Sequence, residues 1–80
     1  GYHTVNITVV PQPASEVLQV RGALAGTRYR LVDAQGRVVA EGTMGSTLQG
    51  IAVQHLAEGM HTLLLTTTDG TVRLPVLIGR

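Results

Sequence analysis

The sequence predicts an all-β fold: a seven-stranded antiparallel sandwich of two sheets, immunoglobulin-like in shape. Three observations carry this. Val, Ile and Thr dominate the chain, and β-branched side chains suit a pleated, half-buried surface. No window sustains apolar residues at i, i+3, i+4 and i+7, so no long helix is expected. Turn signals recur at intervals of roughly 8–12 residues, the spacing of short strands in a sandwich.

Residues Val5–Val10 form the first strand, with Val5, Ile7 and Val9 on one side and Asn6 and Thr8 on the other. Pro11-Gln12-Pro13 ends it, since neither proline can donate to a ladder. After a bend at Ala14-Ser15-Glu16, Val17–Val20 is the second strand, with Leu18 and Val20 inward, and Gly22 to Gly26 is a loop. Arg28 to Gly42 is the organising hairpin. Tyr29 and Leu31 alternate with Arg28 and Arg30, the mark of a half-buried strand. Asp33 suits the first position of a type I turn, and Gly36 the position that needs φ > 0. Val38-Val39-Ala40, more evenly apolar, fits a central strand.

A loop from Gly42 to Thr47 leads to a fifth strand, Gly50–Gln54, with Ile51 and Val53 inward. His55–Gly59 is too short for a helix and reads as a turn whose Leu56 plugs the core. Met60–Thr67 is the sixth and longest strand. Asp69-Gly70 signals a type I′ hairpin turn, and Thr71–Ile78 is the seventh strand. Val72, Leu74, Val76 and Ile78 share a face of it, and Pro75 within it argues for a sheet edge. Pro11, Pro13, Asp33, Gly36, Gly59, Asp69 and Gly70 are thus structural turn residues.

Eighty residues make one domain, residues 1–80, and a start at Gly1-Tyr2-His3 without Met suggests a piece excised from a longer protein. The net charge of +1 and six dispersed arginines, with no stacking aromatics between them, argue against nucleic acid. No cysteine is present, which removes disulfides and thiolate metal sites. No apolar run approaches the ~20 residues of a membrane-spanning helix. Two histidines, His55 and His61, lie six apart with no convergent carboxylate pair, short of the three or four ligands zinc wants. No metal or cofactor is therefore expected; His61 reads as half buried and His55 as exposed. Ser15 follows a proline-rich bend without a glycine elbow and reads as a turn residue rather than a nucleophile. Asp33, Glu41 and Asp69 belong to turns and solvent faces. No catalytic residue is expected. Arg28, Arg30 and Arg37 form a positive strip on the wet face of the central hairpin.

Four segments, in order, carry a family resemblance. Pro11-Gln12-Pro13-Ala14-Ser15 with Leu18-Gln19-Val20 resembles a Pro-Asn-Pro-Ala-Ser opening and its Leu-x-Val. Tyr29 to Val39 resembles an Asp-x-x-Gly-Arg hairpin. Ile51 to Gly59 resembles Ile-x-Val-x-x-Leu-x-x-Gly, and Leu63-x-Leu65 the strand that follows it. Together, from about Val9 to the end, they resemble the type A C-terminal sorting domain of the type IX secretion system, found on cargo proteins of Bacteroidetes. Gln12 stands for the usual Asn, His61 for a usual Tyr, and the tail is less basic than usual. The resemblance implies a non-enzymatic address label. Such a domain is read in the periplasm by translocon components and directs its cargo across the outer membrane. In most members a surface sortase then cuts near its start and joins the cargo to anionic lipopolysaccharide.

The tail, Val72, Leu74, Val76, Leu77, Ile78, Gly79 and Arg80, is the expected recognition element. An edge strand offers unpaired N–H and C=O groups that a receptor extends by β-augmentation, or that a second copy pairs with to give a homodimer. Deleting Val76–Arg80 is expected to block export while leaving most of the sandwich folded. Two other readings compete: an adhesive or carbohydrate-binding sandwich, which two tyrosines serve poorly, and a structural spacer.

Overall fold

The computed structural model describes residues 7–79. Seven strands are present: β1 (Thr8–Val10), β2 (Val17–Arg21), β3 (Arg28–Val32), β4 (Val38–Thr43), β5 (Leu48–Ala52), β6 (Gly59–Thr67) and β7 (Gly70–Ile78). They form two antiparallel sheets, ordered β1-β2-β5 and β4-β3-β6-β7. The expected all-β sandwich is thus the fold. Val5 and Asn6, placed in the first strand from the sequence, lie outside the described residues. The fifth strand begins earlier than expected, at Leu48, and closes at Ala52.

Alternation decides which face each strand buries. Leu18 and Val20 of β2, Ile51 of β5, Leu31 of β3, His61, Leu63 and Leu65 of β6, and Val76 and Ile78 of β7 all turn inward. Ile7, Val9, Tyr29, Val72 and Leu74 pack against this core. The loops contribute as well. Leu56 is buried as expected. Met44, inside what reads as a small polar loop, is also buried, and its backbone bonds Gly26 and Thr27 across the end of the sandwich.

The β3–β4 turn follows the sequence reading. The Gly36 N–H donates to the Asp33 carbonyl (3.0 Å), and Gly36 takes φ 85°. Asp33 Oδ1 accepts the N–H groups of Gln35 and Arg37, each at 2.9 Å, while Oδ2 accepts Arg37 Nε at 2.9 Å. The Arg37 backbone N–H above all, and then its side chain and the Gln35 N–H, hold the Asp33 carboxyl below its ordinary value of 3.8, against partial desolvation. A carboxyl whose folded value is lowered stabilises the fold above its unfolded value, and that contribution is lost as pH falls through the folded one. Asp33→Asn is therefore expected to lower the melting midpoint at neutral pH. In a pH series of thermal melts, its gap from the parent should close below pH 3.8.

Two expectations are corrected. Val38-Val39-Ala40 is not a central strand, for β4 is the edge of its sheet. Leu31 pairs with Ala40 but Val32 with Val38, so Val39 is the extra residue of a bulge. The bulge brings Val39 and Ala40 together against the core, and so breaks the alternation that an edge strand would otherwise show. The β6–β7 turn is not type I′ about Asp69-Gly70. It centres on Thr68-Asp69, neither with positive φ, and the positive φ falls one residue later, at Gly70 (129°). The Thr67 hydroxyl fixes this arrangement, donating to the Gly70 carbonyl and accepting the Asp69 N–H.

Candidate functional site

The C-terminal strand is an edge strand, as Pro75 suggests, and among the described residues its only strand partner is β6. Its residues divide by face. Val76 and Ile78 are fully buried, and Val72 and Leu74 pack half-buried beside them. These four make the strand part of the core, Val76 and Ile78 wholly and Val72 and Leu74 in part. Arg73, Pro75 and Leu77 face outward. Gly79 follows the strand, and Arg80 lies outside the described residues.

Over its last third the edge of β7 is not open. Leu77 donates its N–H to Gln12 Oε1 (2.8 Å), and Gln12 Nε2 donates to the Pro75 carbonyl (3.2 Å). One residue on, the Ala14 N–H donates to the Leu77 carbonyl and the Gly79 N–H to the Ala14 carbonyl, both at 2.9 Å. Ala14 thereby forms a parallel bridge with Ile78 and is itself fully buried. The Gln12 carboxamide acts as a short piece of strand, offering one donor and one acceptor at the spacing the edge requires. Pro13 closes the clasp: a Cβ on Gly79 would stand 2.9 Å from the proline ring, so only glycine fits there without displacement. A shallow notch lined by Pro13, Ser15, Glu58, Gly59, Leu77 and Gly79 lies beside it.

The segment from Pro11 to Ala14 reads in sequence as a strand terminator. Its role in holding the tail spans a separation of 63 to 65 residues. The local signals, an amide between two prolines and then a small apolar residue, identify no partner. The open-edge expectation is accordingly corrected between Pro75 and Gly79. The expectation that the sandwich survives deletion of Val76–Arg80 conflicts with two fully buried side chains in that stretch.

The other sequence candidates scatter. His61 is buried to 6% exposure, with Nδ1 3.0 Å from the Gly59 carbonyl, while His55 is exposed. Among the described residues, no three of His, Asp and Glu gather in a metal-binding group. Ser15 is exposed in the bend after Ala14. Arg37 is tied into its turn, whereas Arg28 and Arg30 stand on the outer face of the four-stranded sheet. Tyr29, the only described aromatic, lies over its cross-strand partner Gly42, where a Cβ would meet its ring and hydroxyl. That placement packs the ring rather than presenting it as a sugar platform.

Residues 8–78 match the family model described as a secretion system C-terminal sorting domain. No curated protein matches the chain.

Proposed function

The chain belongs to the C-terminal sorting domains of the type IX secretion system, and we propose that its folded C-terminal strand is the part the secretion apparatus reads. The family is one of non-catalytic signals that send an attached protein to the cell surface or the medium. The finer steps belong to the proposal. The attached protein passes through the periplasm, the domain engages translocon components at the outer membrane, and a sortase cuts near its start and transfers the cargo to anionic lipopolysaccharide. The single observation that carries the reading is the match over residues 8–78, nearly the whole sandwich, C-terminal strand included. The clasp adds a physical reason for a folded signal. It joins the entry of the domain to its end, so the tail is held in one conformation rather than offered as a loose peptide.

The test fuses residues 1–80 to the C-terminus of a periplasmically exported reporter. Reporter at the surface or in the medium of a type IX-competent bacterium, and not of a strain lacking the translocon, is the expected result. A shift in its size would report cleavage. Reporter held in the periplasm of both strains would overturn the reading.

A further inference from the structure

Strand addition at the end of β7 would first have to displace Gln12 and Ala14, which already occupy that edge. The tail is left to present side chains, and these lie on a face of defined character. Leu77 pairs directly with Met60, and both are well exposed, at 40% and 53%. On the next rung Pro75 pairs with Thr62, and Val32 and Val38 continue it across the sheet. The following rung is Arg73, Leu64, Arg30 and Glu41, and Arg28 stands on the one beyond. Side chains opposite one another on a sheet face are about 5 Å apart, so this is a continuous surface, apolar at one end and cationic at the other. Among the described residues no strand covers it, because the second sheet packs on the opposite face.

We propose that this outer face, running from Met60 and Leu77 at its apolar end to Arg30 and Arg73 at its cationic end, is the surface a protein of the secretion apparatus docks on. This rests on the sorting reading above. The partner it fits presents an apolar patch with carboxylates on the side that meets the arginines. Charge complementarity selects that partner over a second copy of the chain. Among the described residues, the strands of this face carry Arg28, Arg30 and Arg73 against Glu41, with Glu58 beside its apolar end, and the ion pair of Arg30 with Glu41 is long at 3.9 Å and solvent-exposed. Two such faces would bring six arginines together with four carboxylates, leaving both copies net positive where they meet. An acidic-rimmed partner neutralises them and covers Met60 and Leu77, the exposed apolar anchors of the face.

The test uses the reporter fusion with Met60→Asp, Leu77→Asp, Arg73→Glu or Gln12→Ala, with thermal melts of each purified chain. Translocon-dependent surface reporter should fall about tenfold for the three face variants, as loss of one contact anchor implies, while their melts stay near the parent's. Met60→Gln, which keeps the side-chain length, repeats the test should Asp disturb folding. Parental export of the face variants would overturn the proposal. So would export raised by Gln12→Ala alone, which would make the edge the element being read. A parent dimer in sedimentation that Met60→Asp dissociates would also overturn it, making the face a self-interface. Export of the unsubstituted fusion in the same assay separates failure of this proposal from failure of the sorting reading.

Discussion

Removing residues 76–80 is expected to abolish both cooperative folding and export. Val76 and Ile78 are fully buried, and each such side chain is worth about 1.5–3 kcal/mol of burial. The same cut takes the Leu77 and Gly79 groups that bond Gln12 and Ala14. It also removes the β7 half of the rungs to Gly59, Met60 and His61. Hydrogen bonds of this kind each contribute roughly 1 kcal/mol net, and their loss leaves the buried Ala14 without its bridge. Against these stands a total stability of about 4–12 kcal/mol for a domain of this size. Circular dichroism melts should show no two-state transition for the truncated chain. A transition close to the parent's would mean that the tail is an appendage and that the clasp does not hold the fold. Loss of export in a truncated chain that still melted cooperatively would separate recognition from folding, against the coupling expected here.

The parts of the fold legible in the sequence share one property: each is encoded within a few neighbouring residues. Leu18 and Val20, or Val72 through Ile78, declare their buried face by alternation alone. Asp33 and Gly36 specify their turn because the bonds that make it run between residues two to four apart. Pro75 betrays a sheet edge because its missing N–H must face away from a partner strand. What could not be read depends on distant pairing. Ala14 and Gln12 meet the tail only once both sheets are assembled. Met44 is buried because its loop folds over the sandwich end, among neighbours that all look like solvent-facing residues. The bulge at Val39 inserts one residue into the period of two, which makes an edge strand resemble a central one. The Thr67 hydroxyl moved the last turn by one position, a choice invisible in the Asp-Gly pair itself.

The candidate site divides in the same way. The sequence points to the tail, but period-two alternation sends Val72, Leu74, Val76 and Ile78 inward and leaves Arg73, Pro75 and Leu77 facing outward. Met60 enters the surface only through its register opposite Leu77. A search confined to the tail would therefore collect core residues as readily as contact residues. The family match supplies the function, and the strand register supplies which side chains can act in it.

The three consecutive leucines of β6 give the sharpest separation between these roles. Leu63 is fully buried and pairs with Leu31 on one side and Leu74 on the other. Leu63→Ala should cost about 2–5 kcal/mol, from lost transfer energy plus a cavity that close packing leaves unfilled. In a domain of this length that corresponds to a fall of at least about 10 °C in melting midpoint. Leu64, one residue on, points to the outer face between Arg30 and Arg73, and Leu64→Ala should cost about 1 kcal/mol or less. Equilibrium denaturation of the two variants checks the contrast, and similar losses would mean that the register of β6 is wrong. The export assay then separates the core role from the surface role. Leu63→Ala should lower surface reporter only as far as its unfolded fraction is degraded in transit. Leu64→Ala should lower it with the domain still folded, because the side chain it removes belongs to the proposed docking face.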